Sequence, residues 1–276
     1  MTMLAIAALL SLVVGVVLGM LGGGGAILML PMLVYALGVE PKTAIATSLF
    51  VVGATSITGT AVHARAGAVR WKIGAIFGAA AMAGAYGGGR LAHFIPATVL
   101  LVGFGILMVV TATAMLKGRP NAPEAPHRLQ VGRALALGAA VGVLSGLVGA
   151  GGGFLIVPAL TLFGGLAMRE AIGTSLFVIG LQSFAGFAGH VTHVHIDWPL
   201  VLAVTSASLL GSVAGAIAGA KMSPHGLRRG FAWLVIAMGL FMFAKQLPPF
   251  FAVMAAALTL LSVFVVTRQT AAPTAT

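Results

Sequence analysis

Apolar residues fill long stretches near 3–21, 26–38, 44–62, 73–91 and 97–116. The series resumes near 134–148, 154–166, 171–189, 198–219 and 230–246, and a last stretch near 250–267 follows Pro248-Pro249. A helix needs about 20 residues to cross a bilayer core of about 30 Å. Most stretches meet that length. Those near 26–38 and 154–166 hold about 13 residues, or about 20 Å of helix. Each follows a glycine run, Gly22-Gly23-Gly24-Gly25 or Gly149-Ala150-Gly151-Gly152-Gly153. A glycine run breaks a helix and bares backbone groups. Within a membrane this is tolerated only inside protein or beside water. The pattern therefore predicts two broken hairpins, 3–38 and 134–166, with tips inside the membrane. The scattered glycines Gly84, Gly87, Gly88, Gly211, Gly215 and Gly219 read as helix-packing positions.

The two sets of stretches are copies. Gly19 to Trp71 aligns without a gap onto Gly146 to Trp198, and 21 of the 53 positions are identical. The matches include Pro31 with Pro158, His63 with His190, and Thr47-Ser48-Leu49-Phe50-Val51 with Thr174-Ser175-Leu176-Phe177-Val178. Drift in apolar sequence yields scattered Leu, Val and Ala matches, not aligned polar residues. Internal repeats in a hydrophobic chain mark secondary transporters. The expected fold is an all-α polytopic membrane protein of two inverted repeats. Each repeat holds a glycine-broken hairpin and three transmembrane helices, and one extra helix ends the chain. Repeat 1 spans 1–116 and repeat 2 spans 134–247. A cytoplasmic linker, 117–133, carries Pro120, Pro123 and Pro126, and 248–276 forms the extra helix and tail.

Composition agrees. Hydrophobic residues make up 60% and charged residues 7%, against about 25% charged in soluble domains. The first stretch lacks the basic leader of a signal peptide, and its glycine-rich end recurs at mid-chain, so it reads as part of the fold. A net charge of +11 does not point to nucleic acid, because the basic residues sit in short loops where they set orientation. Arg65, Arg70 and Lys72, then the linker's Lys117, Arg119, Arg128 and Arg133, then Lys221, Arg228 and Arg229, and finally Arg268 form one group. The alternate loops carry only Lys42, Arg90 and Lys245. The first group is expected in the cytoplasm, with the N-terminus outside and the C-terminus inside. The 63–72 loop is then cytoplasmic, while its duplicate at 190–197 is outside and has no Lys or Arg. The copies are therefore expected to be oppositely oriented, as alternating access at a repeat interface requires.

Three constellations are candidates for chemistry. Free amides at the glycine runs, from Gly23, Gly24 and Gly25 and from Gly151 and Gly152, suit an anion at a half-helix N-terminus. Thr47, Ser48, Thr174 and Ser175 offer hydroxyl donors without a countercharge. An axis in the membrane plane is expected to bring them to the glycine runs near the midplane. Thr55 and Ser56 lie further along the same face, matched by Gln182 and Ser183; the Gln182 amide needs a partner and makes the site asymmetric. His63 and His190 end equivalent helices and suit gating or proton-linked roles. No Asp or Glu falls mid-stretch, so a carboxylate proton relay is not expected. The chain has no cysteine, hence no disulfide and no thiolate chemistry.

The glycine run with its following Pro, the Thr-Ser-Leu-Phe run, and the His and Trp, all doubled, resemble the sulfite exporter TauE/SafE family over about residues 3–246. The His-x-x-x-Gly-x-x-x-Trp spacing holds in copy one (His63, Gly67, Trp71), while copy two has Val194 in place of the glycine. The resemblance implies a multi-pass bacterial inner-membrane exporter of small sulfur-containing or organic anions such as sulfite, sulfoacetate or a related sulfonate. The expected partners are a small anion and membrane lipid, with no nucleic acid, no cofactor and no metal; a homo-oligomer is left open. Three other readings stand beside it. One is a metal-cation permease using the His190, His193 and His195 cluster. The others are a membrane enzyme with His63 or His190 as base, and an assembly scaffold.

Overall fold

The structure, a computed structural model, describes residues 2–21, 24–117, 131–149, 152–162, 165–219 and 224–246, with single positions at 248 and 259. Gly23, Gly151, most of the linker and the extra C-terminal helix lie outside these residues. The described chain is all-α. Eight helices have 18 to 25 residues: α1 (Thr2–Leu21), α3 (Pro41–Arg65), α4 (Trp71–Ala92), α5 (Ala97–Lys117), α6 (Val131–Val148), α8 (Met168–His190), α9 (Trp198–Gly219) and α10 (Pro224–Gln246). Spans at Pro41–Arg65, Val131–Val148, Arg169–His193 and Trp198–Ala218 are long and apolar enough, by length and composition, to cross a membrane.

The two short stretches are helical but broken from what precedes them. After α1 comes a 3-10 turn, Gly24–Leu28, then α2 (Met29–Pro31) and a π turn, Met32–Ala36. After α6 comes α7 (Gly153–Leu162), only 10 residues long. Both stretches end in the same way. The Val39 amide donates to Leu33 O at 3.0 Å, and its equivalent, Leu166, donates to Leu160 O at 3.2 Å. The intervening Gly38 and Gly165 have φ of 67° and 62°, a left-handed conformation that glycine adopts without a Cβ penalty. The next helix of each copy then starts afresh. For α3 the start is sealed by Pro41 at its first position and by the Glu40 carboxylate, which accepts from Thr43 N at 2.9 Å. Such capping satisfies an amide that the helix leaves orphaned.

The chain divides into two compact units, 1–97 with 124–222, and 98–123 with 223–276. In the smaller unit α5 meets α10, with Gly105 against the Phe243 ring and Gly239 against Val109.

In the larger unit the copies interlock. α1 of the first copy crosses α9 of the second, and α6 of the second crosses α4 of the first. Glycines set both crossings, because only a missing Cβ lets the backbones come this close. Gly15 and Gly19 lie on Ser208 O and Ser212 O. Their equivalents Gly142 and Gly146 lie on Ala81 O and Ala85 O. Gly211 and Gly215 lie on Leu12 O and Val16 O, and Gly84 and Gly88 on Ala139 O and Val143 O. These four scattered glycines thus have the packing role expected of them, while Gly87 faces open space.

α3 and α8 meet at the centre. A Cβ on Gly53 would stand 3.0 Å from the Phe184 ring, and one on Gly180 would stand 2.9 Å from Ile57 Cγ1. Further out, Gly59 faces Leu176 at 3.2 Å and Gly186 faces Leu49 at 3.3 Å. Each contact recurs with both partners displaced by 127 positions and their roles exchanged. The pairs run antiparallel. Their midpoint falls between Ala54 and Thr55 on α3, and between Leu181 and Gln182 on α8.

Candidate functional site

Beside the α3–α8 crossing the exchange of contacts breaks down. On one side of the centre, α1, α3, α8 and α9 leave a shallow cleft open to the surface. Leu18, Gly19, Thr55, Gly59, His63 and Ser212 are among the residues that line it. Their equivalents on the other side are Ser145, Gly146, Gln182, Gly186, His190 and Ala85. There the space is closed. A Cβ on Gly89 would stand 2.7 Å from Gly186 O, and one on Gly189 would stand 2.6 Å from Tyr86 O. α4 therefore lies directly on α8, whereas α9 stands off α3.

The two histidines record this difference. His190 is 3% exposed, and its Nε2 donates to Gly146 O at 2.7 Å, tying α8 to α6. His63 is half-buried at the cleft and its Nδ1 donates to Gly59 O at 3.0 Å, within its own helix. Local sequence accounts for part of the asymmetry. Gly89 and Gly189 on the closed side correspond to Ala216 and Val62 on the open side.

Gln182 and Ser145 fill what would otherwise be the mirror image of the cleft. Gln182 is fully buried and its Nε2 donates to Ser145 Oγ at 3.2 Å. Gly152 adjoins both: a Cβ there would stand 2.5 Å from Gln182 Nε2 and 3.1 Å from Ser145 Oγ. Gly152 also has φ of 64°, so both its backbone and its surroundings demand glycine. The Leu155 and Ile156 amides donate to Gly152 O at 2.9 and 3.0 Å, which starts α7 at this point. The second glycine run thus delivers a short-helix start to the level of the α3–α8 midpoint. Ser145 was not among the residues read from sequence. The signal was a pair of changes between copies, Leu18 to Ser145 and Thr55 to Gln182, each explained only by the other.

The Thr-Ser pairs behave differently from the expectation. They are not brought together near the midplane. Thr47 and Ser48 lie near the start of α3, and Thr174 and Ser175 near the start of α8. Because α3 and α8 are antiparallel, the pairs fall on opposite sides of the midpoint, about 20 Å apart at 1.5 Å per residue. Each pair instead joins elements of different copies. Ser48 Oγ donates to Ile45 O at 2.9 Å and also to Gly149 O, at the opening of the other copy's glycine run. Gly149 has φ of 73°, and the space beside it is taken by Ile45. Thr174 Oγ1 accepts from Arg70 N at 2.9 Å, and Ser175 Oγ donates to Ile172 O at 2.8 Å. All four residues are buried, as is Thr55, whose hydroxyl donates to Val51 O at 2.8 Å. Gly24 and Gly25 open the 3-10 turn after α1.

At the ends of the helices, Arg70 pairs with Glu170. The carboxylate's hydrogen bond and charge raise the Arg70 guanidinium above its already high range. Loops 66–70 and 165–168 therefore share one end of the unit. At the other end Lys42 Nζ donates to His93 O at 2.8 Å, and the His93 ring lies 4.3 Å from that of His193. His190, His193 and His195 do not converge: His190 turns inward to Gly146, His193 lies against His93, and His195 is exposed. Among the described residues no group of three or more His, Asp or Glu is placed to hold a metal ion.

Comparison with known proteins bears on this arrangement. A family model described as "Sulfite exporter TauE/SafE" matches residues 7–242. A probable membrane transporter protein of Xylella fastidiosa (strain 9a5c) is 36% identical over 235 residues, covering 83% of this chain and 90% of that protein. The probable membrane transporter protein YdhB of Bacillus subtilis (strain 168) is 31% identical over 221 residues, 78% of this chain and 88% of its own. A probable membrane transporter protein of Methanocaldococcus jannaschii is 29% identical over 252 residues, 84% of this chain and 94% of its own. No solved structure matches significantly. The doubled glycine runs, the Thr-Ser pairs and the paired histidines all fall inside the matched span, and the chain belongs to the sulfite exporter TauE/SafE family.

Proposed function

We propose that this protein is a secondary transporter that exports a small oxyanion, sulfite or a related sulfonate such as sulfoacetate, by alternating access between two inverted repeats. Membrane transport is the activity of the family and of the relatives' names; the anion and the mechanism are our reading. The observation that carries it is the pair of equivalent spaces around the α3–α8 crossing, one a cleft and the other closed by Gly89, Gly186, Gly189 and His190. The reciprocal contacts at Gly53 and Gly180 support a two-fold relation between the copies, with its axis through the crossing. Two-fold-related halves in unlike conformations are the geometry of alternating access. Exchange of those conformations opens the closed side and closes the cleft.

Loop charge gives the direction. With Arg65 and Arg70 cytoplasmic, the cleft at His63 faces the cytoplasm, where an exporter loads. The N-terminus is then outside, the C-terminus inside, and the membrane the bacterial inner membrane. An inside-negative potential drives each exported negative charge by about 2.3 kcal/mol per 100 mV, so export of an anion needs no carboxylate proton relay. His63 and His190 act as gates: each holds the first helix of its copy when its side is shut, as His190 now holds Gly146. In the opposite state His63 takes Gly19, the equivalent of Gly146. Substrate contacts come from the neutral donors at the breaks, Gly23, Gly24 and Gly25 and Gly151 and Gly152. Ser48 shapes the second break through Gly149 O, and Gln182 tunes it.

Flux in proteoliposomes tests this reading. The purified chain should move sulfite or a sulfonate down an imposed potential, faster with the destination side positive. Movement of no anion from a panel of sulfite, sulfate, sulfoacetate and acetate would refute it.

A further inference from the structure

Two buried hydroxyls of α3 and α8 stand apart from most others, which bond within their helix or close to it; Thr43, for example, donates to Glu40 Oε2 and Thr174 accepts from Arg70 N. A serine or threonine inside a helix ordinarily donates to a carbonyl of the preceding turn. Ser48, Thr55, Thr58, Thr60 and Ser175 all do so, at 2.7 to 3.2 Å. Ser56 and Ser183 do not. Both are fully buried, and neither hydroxyl has a hydrogen-bond partner among the described residues. Burial without a partner sacrifices hydration that nothing in the protein replaces. The two exceptions are equivalent positions, 127 residues apart, so the same sacrifice is made in both copies.

Their place in the fold is as specific as their state. Ser56 is three residues beyond Gly53 and seven beyond Leu49, so it lies on the face that α3 turns to α8. Ser183 is three beyond Gly180 and seven beyond Leu176, on the face that α8 turns to α3. Each is within two residues of the midpoint of the crossing. The cleft reaches Thr55, next to Ser56. On the closed side the matching position is Gln182, next to Ser183. One serine therefore neighbours each access route, and both sit where the routes meet.

We propose that Ser56 and Ser183 form a central oxyanion site, each donating one hydrogen bond to a different oxygen of the substrate as it passes the axis; this rests on the small-anion reading above. The donor set fits an anion. A hydroxyl with no acceptor has its proton to give. Glu170, in the first turn of α8, is the one acid in either helix, so no carboxylate stands at the centre to attract a cation. A hydrogen bond to a charged oxygen is also stronger than one to a neutral group, which makes the pair selective for charge without fixing a counter-ion that would hold the substrate in place.

The test uses the full chain with Ser56→Ala, Ser183→Ala and the double variant, reading sulfite efflux and sulfite binding in proteoliposomes and thermal stability in detergent. Removing a partnerless buried hydroxyl leaves stability equal or higher. Losing a donor to a charged oxygen weakens apparent sulfite affinity about 10- to 100-fold per serine. A structural role predicts the reverse, and lower stability with unchanged affinity overturns the assignment, as does failure of the alanine variants to fold. Ser56→Cys gives a second readout in a chain without cysteine: a small thiol reagent should modify it more slowly when sulfoacetate, which does not consume the reagent, is present, and equal rates would contradict the site. If the parent moves sulfite and all three alanine variants move it equally well, this assignment falls alone. If the parent moves none of the anions, the transport reading falls and takes the site with it.

Discussion

Replacing Gly189 by valine should push the protein out of the state seen here. The structure gives the reason and the size. A Cβ at position 189 would stand 2.6 Å from Tyr86 O and 3.2 Å from Arg90 N, both backbone atoms of α4. Neither can rotate away, so α4 and α8 must separate. Overpacking of this kind costs typically about 1–3 kcal/mol. Only the state with α4 on α8 bears that cost, so the equilibrium moves toward the opposite state by about 5- to 150-fold. The assay is the rate at which a thiol reagent on the cytoplasmic side modifies Ser212→Cys, a cleft-lining position. With Gly189→Val that rate should fall several-fold, because the cleft closes when the other side opens. Val62→Gly provides a second arm without crowding, since it gives α3 the small residue that lets α8 meet α4, and it should slow the same reaction. Unchanged rates in both backgrounds would refute the reasoning that these equivalent spaces exchange states.

Other outcomes follow from the same geometry. Single cysteines at Arg70 and Asp197 should label from opposite faces of the membrane; labelling from one face would contradict inverted repeats. Gly152→Leu should abolish flux, because it strains a left-handed backbone and strikes Gln182. Ser48→Ala and Ser175→Ala should reduce flux several-fold, Ser48→Ala by stranding Gly149 O at a cost of about 1–3 kcal/mol, beside a Ser11→Ala control that retains it. Arg65→Gln should change apparent affinity modestly and more at low salt, where surface charge is less screened; complete loss of transport with normal folding would make that arginine central.

Much of this was legible in the sequence because the duplication states it twice. Apolar length gave the long helices from α1 to α9 to within about three residues and missed the start of α10, at Pro224, by six, and the glycine runs gave the two breaks. Close packing at Gly84, Gly88, Gly211 and Gly215 followed from glycine's missing side chain. The position of the Thr-Ser pairs did not follow. Equivalence says that two residues hold matching places in the two copies, not how far apart those places lie, and Thr47 and Thr174 lie far from the α3–α8 midpoint. That distance becomes visible only once the crossing at Gly53 and Gly180 is known. The cleft was also hidden, since a sequence repeat says nothing of the two copies adopting unlike conformations. Its trace was in the departures from the repeat: Val62 for Gly189, Ala216 for Gly89, and the joint change of Leu18 and Thr55 to Ser145 and Gln182.

Alternating access itself is tested most directly by paired accessibility in the otherwise unaltered chain. Ser212→Cys, in the cleft, and Ala85→Cys, at the equivalent and fully buried position, would be treated with an impermeant thiol reagent from either side. The account predicts that Ser212→Cys reacts from the cytoplasmic side at rest and that Ala85→Cys is protected. During outward flux of sulfoacetate, which does not consume the reagent as sulfite would, Ala85→Cys should become reactive from the external side while reaction at Ser212→Cys slows. Reaction of both cysteines from the same side, or protection of Ala85→Cys throughout turnover, would contradict it.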